Sequence, residues 1–488
     1  MREPYSTVKI YLNELIRPIL VALLIVTTLV ITSAGAARAS SRLWLAPRPT
    51  NVDVSQRPGN ESEETVAVNP TNPKNIVIVT NVDHPAAGLF EGVSFDGGAT
   101  WTTKLIGDND NLGDACCDPS LSFDRYGNLF MTYLYNVELE VPIALSTDGG
   151  LHFNLITNIA KPPKQSLSAS GERGLFRFVD QPTITAGVGE VWMVFNGGGP
   201  IVATGAKVSG LGKVGRFITP EVVPGTNNCT YGDVSIGPRG QVMQVCTLTE
   251  SGQGGGKLFV NVDPDGLGPA GFGSRVFVAE THVGGFDFIP AQPDRSVDAE
   301  PGLAWDRTGG PHNGRVYLVY TLEQPNESNN MDIYVRFSDD DGATWSSLAR
   351  VNDDHTKNSQ FLPKISLDPT SGNLAVVWYD SREDLGTSGS GDTDGVPNDD
   401  AQFWGHSAQT AGRRLPRTPR SARARRTRTI LETLLTTETT RVCLSTVGSP
   451  TRHGPTTRTA RETIRTGPCM GWTSTRPRLW RPRAQSFF

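Results

Sequence analysis

Beyond Ile31 the 488-residue sequence has no apolar run long enough to cross a bilayer as a helix, so the mature chain is expected to be soluble. Cysteine is scarce at 6, and no second close cysteine pair with matching histidine spacing appears, which argues against a zinc site. Glycine at 52 and proline at 34 are plentiful, but they follow no collagen period and form no low-complexity tract. Collagen and wholesale disorder are thereby excluded, and a turn-rich, all-β chain fits best. Aspartate is missing past Asp400 and lysine is missing from 405 onward, where 17 arginines face only Glu432, Glu438 and Glu462. A basic tail on an acidic body is a pattern that often marks a nucleic-acid arm.

At the amino end, Arg2, Lys9 and Arg17 precede the apolar run from Ile19 to Ile31, and Ala37-Arg38-Ala39 follows. The pattern predicts a signal peptide over 1–39, cleaved after Ala39, and hence a secreted or periplasmic product. About 13 apolar residues make only about 20 Å of helix, short of a roughly 30 Å hydrocarbon core. No membrane association is expected after cleavage. Cysteine use suits that compartment: Cys229 and Cys246 flank a Gly-Pro-Arg-Gly turn in what reads as a hairpin, where a disulfide can staple two strands. Cys116 and Cys117 are adjacent, and neighbouring cysteines rarely bridge each other, so each reads equally as a buried apolar residue or as half of another bond.

A unit of about sixty residues recurs six times: an apolar-alternating strand, an Asp/Gly/Pro turn, then a second strand. The leading apolar residues of the first strands are Val66, Leu121, Ile184, Val234, Leu303 and Ile365. Alternation such as Leu129/Met131/Tyr133 and Val191/Met193/Phe195 predicts half-buried strands.

Inside three units a second signal keeps a fixed phase. Ser94, Asp96, Gly98 and Trp101 fit S-x-D-x-G-x-T-W, as do Ser338, Asp340, Gly342 and Trp345, and Ser146, Asp148, Gly150 and Phe153 form a degenerate copy. This resembles the Asp-box, or bacterial neuraminidase repeat, of the sialidase superfamily. Physically, the Asp carboxylate can accept backbone N–H groups across a tight turn, the Gly takes a positive φ, and the aromatic ring packs between sheets. The resemblance implies a sialidase-like β-propeller of about six four-stranded blades over 50–405, and it implies the fold more strongly than any activity.

From 406 to 488 the alternation gives way to Arg, Thr and Pro, which predicts a non-globular tail. Back-translating Ser407 to Pro416 with suitable codons and reading one frame over yields Ser-Thr-Asp-Gly-Gly-Ala-Thr-Phe-Ala, the box that the sixth unit lacks. A frameshift near Gly405 is the expectation, and no nucleic-acid partner is expected from the arginines.

In a propeller the first strand of each blade lines the central channel. Just ahead of the leading apolar residues stand Glu63, Asp118, Asp180, Gln181, Tyr231 and Glu300, with Asp233 and Asp298 close by. Gathered carboxylates raise one another's pKa or bind a cation, and strand-start acids also serve simply to satisfy turn N–H groups. The sialidase resemblance implies an arginine triad, a Tyr–Glu nucleophile and an Asp acid. The candidates are Arg177, Arg295 and Arg382 for substrate binding, Tyr231 with Glu300 as the nucleophile pair, and Asp118 or Asp180 as the acid. The family's amino-terminal F/Y-R-I-P arginine motif is absent. Arg382, in Tyr379-Asp380-Ser381-Arg382, reads equally as half of a solvated turn ion pair. Asp392, Asp394 and Asp399 offer hard oxygens for Ca²⁺ without EF-hand spacing, and no cofactor is otherwise required. The expected function is a glycan-directed propeller that binds a glycan or glycoprotein surface, with absent or impaired exo-sialidase chemistry. A non-catalytic protein-binding scaffold is the alternative.

Overall fold

The computed structural model describes residues 52–57, 61–82, 88–136, 140–159, 179–187, 189–249, 253–285, 287–324, 328–382, 400–408 and 464–465, with backbone alone at 231, 292–295, 400, 408, 464 and 465. The signal segment, Arg177, the three calcium candidates Asp392, Asp394 and Asp399, and most of the arginine-rich tail lie outside the described residues. No helix among the described residues is long and apolar enough to cross a membrane.

The strands form six antiparallel blades. Blade 1 comprises Thr65–Val68, Ile76–Asn81, Leu89–Ser94 and Thr102–Ile106. Blade 2 comprises Gly113–Phe123, Leu129–Tyr135, Val141–Ser146 and Asn154–Ile159, with Asp108–Asp110 paired to its first strand. Blade 3 has Asp180–Gly187, Glu190–Asn196 and Ile201–Gly210, and two short strands share its outer edge. Blade 4 has Cys229–Ile236, Val242–Thr249, Gly256–Asp263 and Val276–Glu280. A hairpin, Asp287–Ile289 with Gln292–Val297, leads to blade 5, made of Gly302–Trp305, Val316–Glu323, Met331–Ser338 and Ala349–Arg350. Blade 6 has Gln360–Leu367, Leu374–Asp380 and Asp400–Ala408, with Ile464–Arg465 beside Asp400 and Ala401. The sixth blade's third strand thus runs past position 405, and Ile464–Arg465 finds a sheet partner. These two short pairings fall within the segment 406–488 that the sequence reads as a non-globular tail.

All six leading apolar residues fall on innermost strands, as the repeat predicts. The half-buried expectation is corrected for the second strands: Phe130 and Thr132 are as buried as Leu129, Met131 and Tyr133. Both faces are covered because each blade stacks on its neighbours, and exposure begins at the outer strands Thr102–Ile106 and Asn154–Ile159. Every seam has its own apolar cluster among the described residues. Val77 and Val79 meet Met131 and Tyr133 between blades 1 and 2. The ring closes where Val66, Val68, Ile76 and Ile78 pack on Ala375 and Val377 of blade 6.

The three boxes are equivalent turns between third and fourth strands. Ser94 Oγ donates to Asp96 Oδ1 at 2.9 Å and accepts the Gly98 N–H at 2.9 Å. Asp96 in turn accepts the Thr100 N–H at 2.9 Å and its hydroxyl at 2.7 Å. The box at Asp340 repeats these bonds with Thr344. In the degenerate copy His152 replaces the threonine and brings Nδ1 to 2.7 Å from Asp148 Oδ2. The box glycine also sits at a seam: a Cβ on Gly150 would lie 2.6 Å from Val77 of blade 1, and one on Gly342 would lie 2.7 Å from Met243 of blade 4. Asn75 completes the first of these contacts by donating to Gly149 O at 2.9 Å. In blade 6, Ala408 pairs with Leu374 as the box serines Ser94, Ser146 and Ser338 pair with Ile76, Leu129 and Val316. The box read in the alternative frame begins across Ser407 and Ala408, so it falls in the register of the other three.

Candidate active site at the channel mouth

The innermost strands of all six blades converge on a cavity of about 210 Å³ at one end of the channel. Two sets of residues line it, set by their distance from the leading apolar residue. The upper set, three residues ahead, is Glu63, Asp118, Gln181, Glu300 and Leu362, with Tyr231 at the corresponding place in blade 4. The lower set, one residue ahead, is Thr65, Ser120, Thr183, Asp233, Gly302 and Lys364.

The upper set shares a backbone conformation that non-glycine residues seldom adopt. Glu63, Asp118, Gln181, Glu300 and Leu362 have φ of 56°, 53°, 45°, 43° and 51°. Pairing to the second strand slips beside this position in blades 2, 3, 4 and 6, so each inner strand begins with a bulge. A bulge turns one side chain out of the strand's alternation, here into the mouth.

That conformation also joins neighbouring blades. The Asp118 N–H donates to Glu63 Oε2 at 3.2 Å, and the Gln181 N–H donates to Asp118 Oδ2 at 2.9 Å. Glu63 Oε2 also accepts a short hydrogen bond from Asn81. Below, the leading N–H of one blade donates to the lower-set side chain of the blade before it. Leu121 donates to Thr65 at 3.1 Å, Ile184 to Ser120 at 3.1 Å and Leu303 to Asp233 at 2.9 Å. Much of the acidity therefore fastens blade to blade, which is the structural role anticipated for strand-start acids.

Asp118 stands apart electrostatically. Burial pushes its carboxyl well above the ordinary carboxylate range; the charge of Glu63, a side-chain hydrogen bond to Glu63 and the charge of Asp180 push the same way, against the Gln181 N–H. A carboxyl pushed in this direction is of the kind that general-acid chemistry uses. Asp180 is half-buried and acts on Asp118 from outside the mouth lining. Glu300 lines the mouth and forms an ion pair with Lys364, Nζ to Oε1 at 2.6 Å. Tyr379 adds an aromatic wall, stacked on Phe361 with centroids 5.7 Å apart and edge-on to Phe403 at 5.6 Å.

The arginines do not gather there among the described residues. Arg382 is clasped by Asp380 through two nitrogens at 2.8 and 2.6 Å, reaches Asp353 at 2.7 Å and lies 4.1 Å over Trp404. It makes the turn ion pair rather than facing the mouth. Arg177 lies outside the described residues, as do the side chains of Arg295 and Tyr231. Lys364 is the mouth's single cation among the described residues, and sequence reasoning missed it. The signal was its place one residue ahead of Ile365, in the phase shared by Thr65, Ser120 and Asp233.

One cysteine pair matches the sequence reading and the other departs from it. Cys229 and Cys246 are bonded across the blade 4 hairpin, with Cα atoms 5.7 Å apart. Cys116 and Cys117 are bonded to each other, which corrects the expectation that adjacent cysteines stay apart. They lead directly into Asp118. No group of three or more metal-ligating side chains occurs among the described residues.

No model of a known protein family matches the sequence, and no curated protein matches it. Among solved structures, the chain is similar to the GH93 α-L-arabinofuranosidase of Fusarium graminearum in complex with arabinobiose, at 12% identity and TM-score 0.43 over 68% of this chain and 92% of that one. It is similar to the Penicillium chrysogenum α-L-arabinanase complexed with arabinobiose, at 13% identity and TM-score 0.38 over 68% and 94%. A Hadza microbial sialidase matches at 13% identity and TM-score 0.41 over 65% of this chain and 63% of its own.

Proposed function

We propose that the channel mouth is a carbohydrate site for an uncharged sugar, in which Asp118 protonates a glycosidic oxygen and Glu300 supplies the second carboxylate. The observation that carries this reading is the Asp118 carboxyl lining the mouth beside Glu63, pushed upward by burial and by the charge of Glu63. Two carboxyl groups of unlike environment are the working parts of most glycoside hydrolases. The finer, exo-sialidase form pairs Tyr231 with Glu300, which occupy the same phase on consecutive blades. That form also needs guanidinium groups for the substrate carboxylate, and Lys364 is already committed to Glu300. An acidic mouth repels an anionic sugar, so sialoside turnover is not expected. Export after cleavage at Ala39 places this site outside the cytoplasm.

A second reading has its own support: the Glu63 and Asp118 carboxylates accept backbone N–H groups of neighbouring blades, as structural acids do. In that reading the propeller binds a glycan or a protein without chemistry.

The test is a panel of chromogenic neutral glycosides, arabinobiose and a fluorogenic sialoside, offered to the wild type, Asp118→Asn and Glu300→Gln. A neutral glycoside should be cleaved, with kcat falling by about 10²-fold or more in Asp118→Asn. Binding without turnover would select the second reading. Neither binding nor turnover of any glycan would end the carbohydrate reading.

A further inference from the structure

We propose that the bond between Cys116 and Cys117 is a positioning device that holds the strained Asp118 backbone against the blades on either side. The catalytic consequence rests on the function proposed above; the structural one does not. A disulfide between adjacent residues closes an eight-membered ring through a single peptide, which removes most torsional freedom from both residues. Pro119 then fixes its own φ and restricts the residue before it. Asp118 is therefore the one residue of Cys116-Cys117-Asp118-Pro119 that belongs to neither ring, and it is held at φ 53°.

The other bulges keep a positive φ without such a clamp, and the difference lies in what Asp118 faces. Its carboxyl stands against two more carboxyl groups, Glu63 and Asp180, whose charges disfavour its ionisation. It also belongs to two seams, giving its N–H to Glu63 and its Oδ2 to the Gln181 N–H. Rotation of this residue toward an ordinary φ would break both bonds. The sulfur ring opposes it by fixing the chain that leads into Asp118. Cys116 Sγ lies 3.7 Å from the Tyr135 carbonyl oxygen, so the ring rests against the adjacent strand.

The test compares the full chain with the Cys116→Ser/Cys117→Ser double variant by amide hydrogen exchange. Exchange at Asp118 and Gln181 should rise at least tenfold, while the innermost strand of blade 4, Cys229–Ile236, stays unchanged. If the variant fails to fold, a water-soluble phosphine on the native chain gives the same comparison. The S–S bond opens to two thiols while water supplies the oxygen of the phosphine oxide and both protons. Cys116 and Cys117 are partly buried, whereas Cys229 and Cys246 are 1% and 0% exposed, so the vicinal bond opens first, as alkylation mapping would verify. Unchanged exchange at Asp118 and Gln181, or an equal rise in blade 4, overturns the proposal whatever the activity. On a cleaved glycoside, the variant should lose kcat with KM held, and its alkaline limb should move to lower pH as Asp118 leaves Glu63. An unmoved limb overturns the positioning role. An inactive wild type with the exchange result intact would instead strike the glycoside hydrolase reading alone.

Discussion

Lys364 Nζ stands 2.6 Å from Glu300 Oε1, tying the inner strand of the sixth blade to the bulge that opens the fifth. Both side chains are about a quarter exposed, so water screens the pair only in part. Without Lys364, Glu300 would face Asp233, Asp298 and the other acids of the mouth with no cation among the described lining residues.

Lys364→Met should therefore lower unfolding stability by about 1–2 kcal/mol. In a double-mutant cycle with Glu300→Gln, most of that loss should vanish once the carboxylate is gone. Urea unfolding of the four proteins measures it, and strict additivity would show that the contact contributes nothing.

Glu91 is fully buried in the third strand of blade 1, where burial lifts its carboxyl from 4.5 to about 7. Lys104 at 3.0 Å opposes the lift, Asp148 adds to it and His152 opposes it weakly. The folded state holds this proton more tightly than the unfolded chain. Its contribution is therefore complete below about pH 4.5 and is lost as pH rises through about 7, at up to about 1.4 kcal/mol per unit. Glu91→Gln should match the wild type near pH 4.5 and exceed it in stability at pH 8. Denaturant midpoints across that range decide the matter, and parallel profiles would refute the assignment.

The box aspartates act with the opposite sign. Hydrogen bonds from the Thr100 side chain and backbone, then from Ser94, hold Asp96 down to about 2 from 3.8. Asp340 is lowered as well, chiefly by Thr344. The folded value is depressed, so the stabilisation is present above about pH 4 and disappears as pH falls through about 2. Asp96→Asn should lower the urea midpoint at pH 7, with the deficit shrinking toward pH 2. A deficit that stays constant with pH would mean that charge has no part in the box.

The blades and boxes were legible because each rests on a periodic signal. A leading apolar residue recurs on every inner strand, and Ser-x-Asp-x-Gly closes a turn whose bonds are all local. What escaped depends on neighbours distant in sequence. Phe130 and Thr132 read as an outer face, yet Ile143 and Met193, from the next strand and the next blade, lie in the same packed region. Leu362 and Glu63 give no sign of positive φ, since glycine or asparagine usually marks it. Arg382 was readable as a ligand-facing charge because Asp353 and Asp354 lie 28 and more residues earlier. Cys116 and Cys117 were misjudged because adjacency alone argues against a bond.

One position in each of five blades, at 63, 118, 181, 300 and 362, supplies the upper wall of the mouth, and the backbone there carries a positive φ. A side chain there can be exchanged without loosening a seam only where, unlike Glu63, Asp118 and Glu300, it holds no neighbouring blade. The scaffold thus separates the turn of the backbone, which recurs from blade to blade, from the choice of side chain at the mouth. Gln181 and Leu362, which carry no proton chemistry, are the places where the lining of the mouth can change first.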